Sequence, residues 1–278
     1  MNALMQLQGQ GTQLTEVEAM ILEEMGADVN AFDLQPERVK VAPGGIGQFL
    51  VGEGETVKTF TAIVAISQKI RGYWPGSGTG NPPLCSSPDG ARGIFSLDPA
   101  PDQIRDAMTA RQPHPAMRQH DAGQPLPDLF SCVTCPLNQW GSEHQRRGGE
   151  GRGKACKEMR RLLLLIDGWA LPALMSLPPT SIKAWDAYCS GQASRKSAYF
   201  AVRTKFELDA AKANGGETYN VVKVSQAGRL DNAADMTAVA EIRRQYRDLV
   251  SEMPIMVDEY ETTDTPAADD YADETPPF

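Results

Sequence analysis

The chain has 278 residues, 41% of them hydrophobic, five cysteines and a formal net charge of −9. That is enough apolar material to core one large domain or two small ones. The opening "MNALMQLQGQGTQ" lacks the basic and apolar runs of an export leader. The longest apolar stretch, around Leu162–Leu174, is interrupted by Asp167, Gly168 and Pro172, so no membrane span is expected. These features point to a reducing cytoplasm, where clustered cysteines are more often metal ligands than disulfides.

The charge is unevenly placed. From Glu252 onward there are nine acids and no Lys or Arg, and without that segment acids and bases balance. A neutral body carrying an acidic tail is therefore expected.

In chain order, residues 1–35 hold an amphipathic helix over Leu14–Met25, with Thr15 as its cap and Gly26 as its stop. "RVKVAPGGIGQFLVGEG" reads as two short strands about a Gly-Gly turn. The β-branched run Glu55–Trp74 reads as one long strand. Simple alternation puts Phe60, Ala62, Val64 and Ile66 on one face and Thr59, Thr61, Ile63 and Ala65 on the other. Apolar residues on both faces imply a strand covered on both sides.

Residues 75–130 are proline-rich loop with one helix near Asp102–Arg111, and a basic Gly/Arg loop over Gln145–Lys157 follows. "PPTSIKAWDAYCSG" predicts a helix capped by Ser181, with Ile182, Trp185 and Cys189 as a core stripe. A hairpin turning at Asn214-Gly215-Gly216 comes next. A helix over about 233–253 then presents Met236, Val239, Ile242, Tyr246 and Val250 on one side. The tail from 254 has too little apolar surface to fold. The fold class is mainly β with added helices (α+β): a small barrel domain over 36–230, interrupted by an insertion at about 75–160.

Four cysteines suggest what orders that insertion. Cys132 and Cys135 form a Cys-x2-Cys knuckle, and Cys85 and Cys156 lie in Pro/Gly-rich loops, which together match a closed, structural Zn2+ site. His144 is the substitute should Cys85 not participate. The competing reading is a lone redox Cys-x2-Cys, which lacks a βαβ context here. Cys189 is expected in the core.

The segment "DDYADETPPF" joins Asp269, Asp270, Asp273 and Glu274 to Pro276, Pro277 and Phe278, a pattern suited to capture by a basic groove with an apolar pocket. It resembles the acidic tip of bacterial single-stranded DNA-binding proteins, which closes in acids followed by Pro-Phe. A second resemblance spans roughly 38–230. The order "RGYW", "PPLCSSPDG", Cys-x2-Cys with "WGS", "GRGKACKE" and "LPPTSIKAWDAY" is similar to single-strand-binding proteins of bacteriophages and mobile elements. The resemblance implies an OB-like β-barrel with a zinc-stabilised loop insertion. It also implies non-specific coating of single-stranded DNA in replication and recombination, in the cytoplasm of a bacterial host, and recruitment of replication and recombination proteins through the tip. The zinc insertion and greater length depart from the familiar bacterial proteins, so their tetrameric assembly is not carried over.

Binding single strands needs cations along the phosphates and aromatics against the bases. Lys69, Arg71, Tyr73 and Trp74 end a predicted strand, with alternation putting Lys69, Arg71 and Tyr73 on one face. The segment Trp140–Arg161 adds Trp140, Arg146, Arg147, Arg152, Lys154, Lys157, Arg160 and Arg161. Trp74 reads equally as a barrel plug, and Trp185 as core. No Walker A, His-Glu-x2-His or Gly-x-Ser-x-Gly motif occurs, and three loop histidines do not organise an acid/base site, so no enzyme is expected. "GSEHQ" beside the cysteines leaves a nuclease or deaminase as a minor reading. The stronger alternative is a zinc-containing phage transcription or recombination factor acting by protein–protein binding.

Overall fold

The computed structural model describes residues 36–42, 47–52, 54–75, 82–96, 130–142, 153–169, 171–212, 218–257 and 259. The predicted helices over 14–25 and 102–111, the hairpin turn at 214–216 and the tail residues 258 and 260–278 lie outside them; the expectation that the tail is unfolded from 254 is corrected at Ile255 and Glu259, each 4% exposed. The protein is mainly β, a curled half-barrel sheet with two helices. Among the described residues the eleven strands are β1 (Arg38–Val41), β2 (Phe49–Val51), β3 (Glu55–Val57), β4 (Thr59–Tyr73), β5 (Cys85–Ser87), β6 (Arg92–Phe95), β7 (Phe130–Ser131), β8 (Cys156–Ile166), β9 (Ala173–Leu177), β10 (Val202–Lys212) and β11 (Thr218–Arg229). The helices are α1 (Pro179–Ser194) and α2 (Ala233–Glu252).

The spine is β4, which the sequence marks by its long β-branched and apolar run. On one edge it pairs with β8 along nearly its whole length, from Ala62↔Ile166 to Tyr73↔Cys156. On the other edge it pairs with β10 near its start, Phe60↔Phe206, and with β5 near its end, Tyr73↔Cys85. The sheet continues from β8 through β9, β1 and β2 to β3, and from β5 through β6 to β7. The β1–β9 pairing is parallel and the others are antiparallel.

Alternation along β4 breaks at one point. The register with β8 shifts between Val64 and Ile66, leaving Ala65 as an extra residue. Such a bulge inverts the facing of everything beyond it. Ala62 and Val64 pack with Phe49, Leu162, Leu164 and Phe206 on one face. Ile66 joins Ile63 and Ala65 on the other, against Leu163, Leu165 and α2. The predicted grouping of Ile66 with Val64 is thus corrected. The carbonyl that the bulge frees, Ala65 O, accepts a hydrogen bond from Arg243 Nη1 of α2. The Arg243 guanidinium also lies 4.0 Å from the Phe200 ring centroid, a cation–π contact.

The first face is closed by α1. Trp185 is buried there, and its indole N–H donates to Ser67 Oγ at 3.0 Å. Ser181 does not cap this helix, which begins at Pro179, where a missing N–H costs nothing. Its hydroxyl instead accepts the Val222 N–H of β11 at 2.9 Å, so the helix covers an otherwise open strand edge. The second face is closed by α2, capped by Asn232 through the Ala234 N–H. Of the predicted stripe, Val239, Ile242, Tyr246 and Val250 are buried, with Ala238 beside them, and Met236 is half-buried.

Beyond α2 the chain is clamped by Arg161 of β8, predicted as a DNA-contacting loop residue but fully buried. Its Nε and Nη2 bind both carboxylate oxygens of Glu259 at 3.0 and 2.7 Å, and its remaining donors reach the carbonyls of Val250, Met253 and Pro254. Glu259 also meets Arg38 and accepts from Ser176 Oγ. Burial alone would raise the Glu259 pKa, but the guanidiniums and hydroxyl outweigh it and hold the carboxyl below its ordinary value. A carboxylate depressed in this way stabilises the fold above the unfolded-state pKa and loses that contribution as pH falls through the folded value. Among the described residues, no helix is long and apolar enough to cross a membrane.

Arg161→Met strands Glu259 as a buried carboxylate and should cost about 3–5 kcal/mol in equilibrium urea denaturation at neutral pH. The gap between wild type and variant should narrow as the solution is acidified through the carboxylate range. A gap independent of pH would rule the clamp out as an ionic one.

Candidate nucleic-acid interface

Past the bulge, odd-numbered residues of β4 face the α1 side, so Ser67, Lys69, Arg71 and Tyr73 share a face. Across from them on β8 stand Arg160, paired with Lys69, and Glu158, paired with Arg71. These side chains form a polar belt between the core under α1 and a second apolar cluster of Tyr73, Leu84, Phe95, Leu137 and Ala155. Glu158 sits among the cations, 3.0 Å from Lys69 Nζ and 3.0 Å from Arg71 Nη2. Arg160 reaches α1, where Nη2 lies 3.1 Å from Asp186 Oδ1. Arg160 is thus a strand residue facing the belt, not part of the basic loop.

One wall of the belt is a turn. Asp89 accepts the N–H groups of Ala91 and Arg92 at 2.8 Å, and Gly90, at φ +71°, lies so close to β4 that a Cβ would be 2.8 Å from Lys69 O. Burial raises the Asp89 pKa, but those backbone donors and the Arg92 side chain overcome it and bring it down to about 2.

The other wall is the Cys-x2-Cys knuckle, held by its own hydrogen bonds. The Cys132 N–H donates to Ala91 O, Asn138 Nδ2 to Cys132 O, and the Ala155 N–H to Ser142 Oγ. At its rim Trp140 is 41% exposed, and Lys154 Nζ lies 5.3 Å from its ring centroid. Partial burial and the nearby Arg71 hold the Lys154 ammonium below the usual lysine pKa. A row therefore runs from Trp140 through Lys154, Arg71 and Lys69 to Arg160, with Glu158 and Asp186 as its carboxylates.

The predicted zinc centre is corrected. Among the described residues no group of His, Cys, Asp or Glu could hold a metal ion. Cys85, Cys132, Cys135 and Cys156 do line one small cavity, together with Arg71, Tyr73 and Leu137. Burial pushes the Cys85 and Cys135 thiols up and Cys156 to about 12, and the neighbouring cysteines add to the shift. The knuckle's order is accounted for by packing and the hydrogen bonds above. Cys189 lies beside the core under α1, as expected.

Of the other predicted contacts, Tyr73 and Trp74 are each only 2% exposed and present no ring to a base. Trp74 lies on the α2 side, with Ile70, Met159 and Ile255. Its ring rests so closely on Gly72 that a Cβ there would approach to 2.5 Å. Lys157 is buried on that same side, its ammonium donating to Lys154 O at 3.0 Å. Arg146, Arg147, Arg152 and His144, and the tail residues Asp269, Asp270, Asp273, Glu274, Pro276, Pro277 and Phe278, lie outside the described residues. Sequence reasoning missed Glu158 and Asp186. The signal for them was a carboxylate two residues before Arg160 and another on the exposed flank of the Trp185 stripe.

Compared with protein-family models, curated proteins and solved structures, the chain finds no significant match.

Trp74→Ala should destabilise the protein by about 3–5 kcal/mol in urea denaturation, the range for emptying a large aromatic site. A surface-like change below about 0.5 kcal/mol would contradict its placement in the core.

Proposed function

We propose that this chain binds single-stranded DNA without sequence preference, on the face of an OB-like half-barrel, and that its acidic segment recruits partner proteins. The observation that carries this reading is the exposed Trp140 ring beside Lys154, at the head of the row continuing through Arg71, Lys69 and Arg160. A base stacks on an open indole, and a cation row spaced along neighbouring strands follows a phosphate backbone. The curl of the sheet and the two resemblances in the sequence support the same reading. Burial of Tyr73 and Trp74 moves the stacking role onto Trp140.

The reading makes Trp140 the fluorescent reporter most exposed to quenching by bound bases. Trp140→Ala should weaken binding to oligo-dT by about 1–3 kcal/mol. The slope of log K against log salt should stay as in wild type, since stacking releases no counterions. Unchanged affinity would remove Trp140 from the interface, and a wild-type chain that prefers duplex would sink the reading.

The acidic segment supplies the partner-binding half of the reading. Acids at 269, 270, 273 and 274 provide charge, and Phe278 provides the apolar anchor behind Pro276 and Pro277. Phe278→Ala should abolish most recovery of replication and recombination proteins in pull-downs from a bacterial host lysate, while affinity for oligo-dT stays constant. Identical partner sets from the two proteins would mean that the segment only solubilises.

A further inference from the structure

Arg71 and Arg160 share an unusual pattern of use. In each, Nη2 binds one carboxylate, Glu158 or Asp186, while the Nε on the same edge of the guanidinium is buried without a partner. That edge binds an oxyanion through two parallel N–H donors, and Arg161 shows the full form in this fold, with Nε and Nη2 each on an oxygen of Glu259. At Arg71 and Arg160 only half of the edge is in use. Lys69 completes the group, two residues before Arg71 on β4 and opposite Arg160 on β8, with its ammonium on the diagonal Glu158. Three cations therefore share two carboxylates, and two of the cations are half satisfied.

Placement separates this group from the buried clamp. Asp186 is 51% exposed and the Lys69 side chain 38%, against 18% for Arg160 and 12% for Arg71, so the group borders solvent along its Lys69 and Asp186 side. Glu259, by contrast, is closed in at 2%.

We propose that Lys69, Arg71 and Arg160 form a seat for backbone phosphate of the bound single strand. In the free protein Glu158 and Asp186 occupy it as displaceable counter-anions. The inference rests on the single-strand-binding reading and adds where on the sheet a phosphate sits. Phosphate oxygens engage the Nε/Nη2 edges, Glu158 and Asp186 swing away, and the strand continues past Lys154 to Trp140. The carboxylates act as internal competitors, so the protein gives up part of its electrostatic attraction while unbound.

The experiment is fluorescence anisotropy of labelled oligo-dT with the full-length chain across a salt series. Glu158→Gln and Asp186→Asn remove a competitor each and should bind more tightly at low salt, with the salt slope steeper by about 0.7 for each additional phosphate neutralised. Arg160→Gln should bind more weakly, with a slope shallower by about the same amount. Asp186 is exposed, so its variant keeps the test open should Glu158→Gln fold poorly by circular dichroism. The Arg71 and Arg160 Nε–H resonances should shift in nitrogen-edited spectra as oligo-dT is added. Wild-type affinity and slope in both Asp186→Asn and Arg160→Gln, with Trp140→Ala still impaired, would overturn the seat and leave single-strand binding standing. No binding of oligo-dT by the wild type would overturn the reading beneath it.

Discussion

One extra residue in one strand sets the facing of the whole site. With Ala65 left out of the β4–β8 register, even-numbered residues before it and odd-numbered residues after it look toward α1. Without the bulge, Lys69, Arg71 and Tyr73 would look toward α2, while Ile70 and Trp74 would look into the polar belt. An unpaired carbonyl is the cost of such a device, and Arg243 meets it from α2. The helix that shields one side of β4 thereby fixes what its other side displays. The belt and the core under α2 are consequences of the same irregularity, since Ile66 could not join Ile63 without it.

Much of the architecture was legible because local chemistry and tertiary demand agree. The long β4 run, the β10–β11 hairpin, the buried stripe of α2 and the core placement of Trp185 all follow from periodicity and turn residues. The facing of Lys69, Arg71 and Tyr73 was legible too, because alternation holds on either side of the bulge. The bulge itself was not, since nothing in "TAIVAISQ" distinguishes Ala65 from its neighbours. Arg161 was misread for a different reason. Its meaning depends on Glu259, distant in sequence, and a basic cluster looks the same whether its members face solvent or an internal carboxylate. The cysteines illustrate a third limit: spacing brought four thiols to one cavity, yet among the described residues no group of ligating side chains that could hold a metal ion forms.

The distribution of charge separates two uses of the same ion pair. Arg161–Glu259 is sealed, and its donors are all consumed, so it can only hold the chain. Arg71 and Arg160 each keep an Nε donor unpartnered, beside the partly exposed Lys69. Two adjacent residues of β8, pointing to opposite faces, thus carry the same guanidinium into two different dielectric settings. Arginine suits both because it keeps its charge when buried and offers a flat, two-donor edge.

The Arg161 clamp also has a meaning for how the protein is made. Its two halves, β8 and the segment ending at Glu259, leave the ribosome at well-separated times, because synthesis proceeds from the N-terminus. Until Glu259 emerges, Arg161 is a charge facing an unfinished wall and Ile70, Met159 and Trp74 lack Ile255 as their cover. The clamp therefore cannot close until Glu259 has been made. A chain ending before Glu259 would lack the carboxylate that Arg161 binds, and one ending before Ile255 would also leave Ile70, Trp74 and Met159 uncovered.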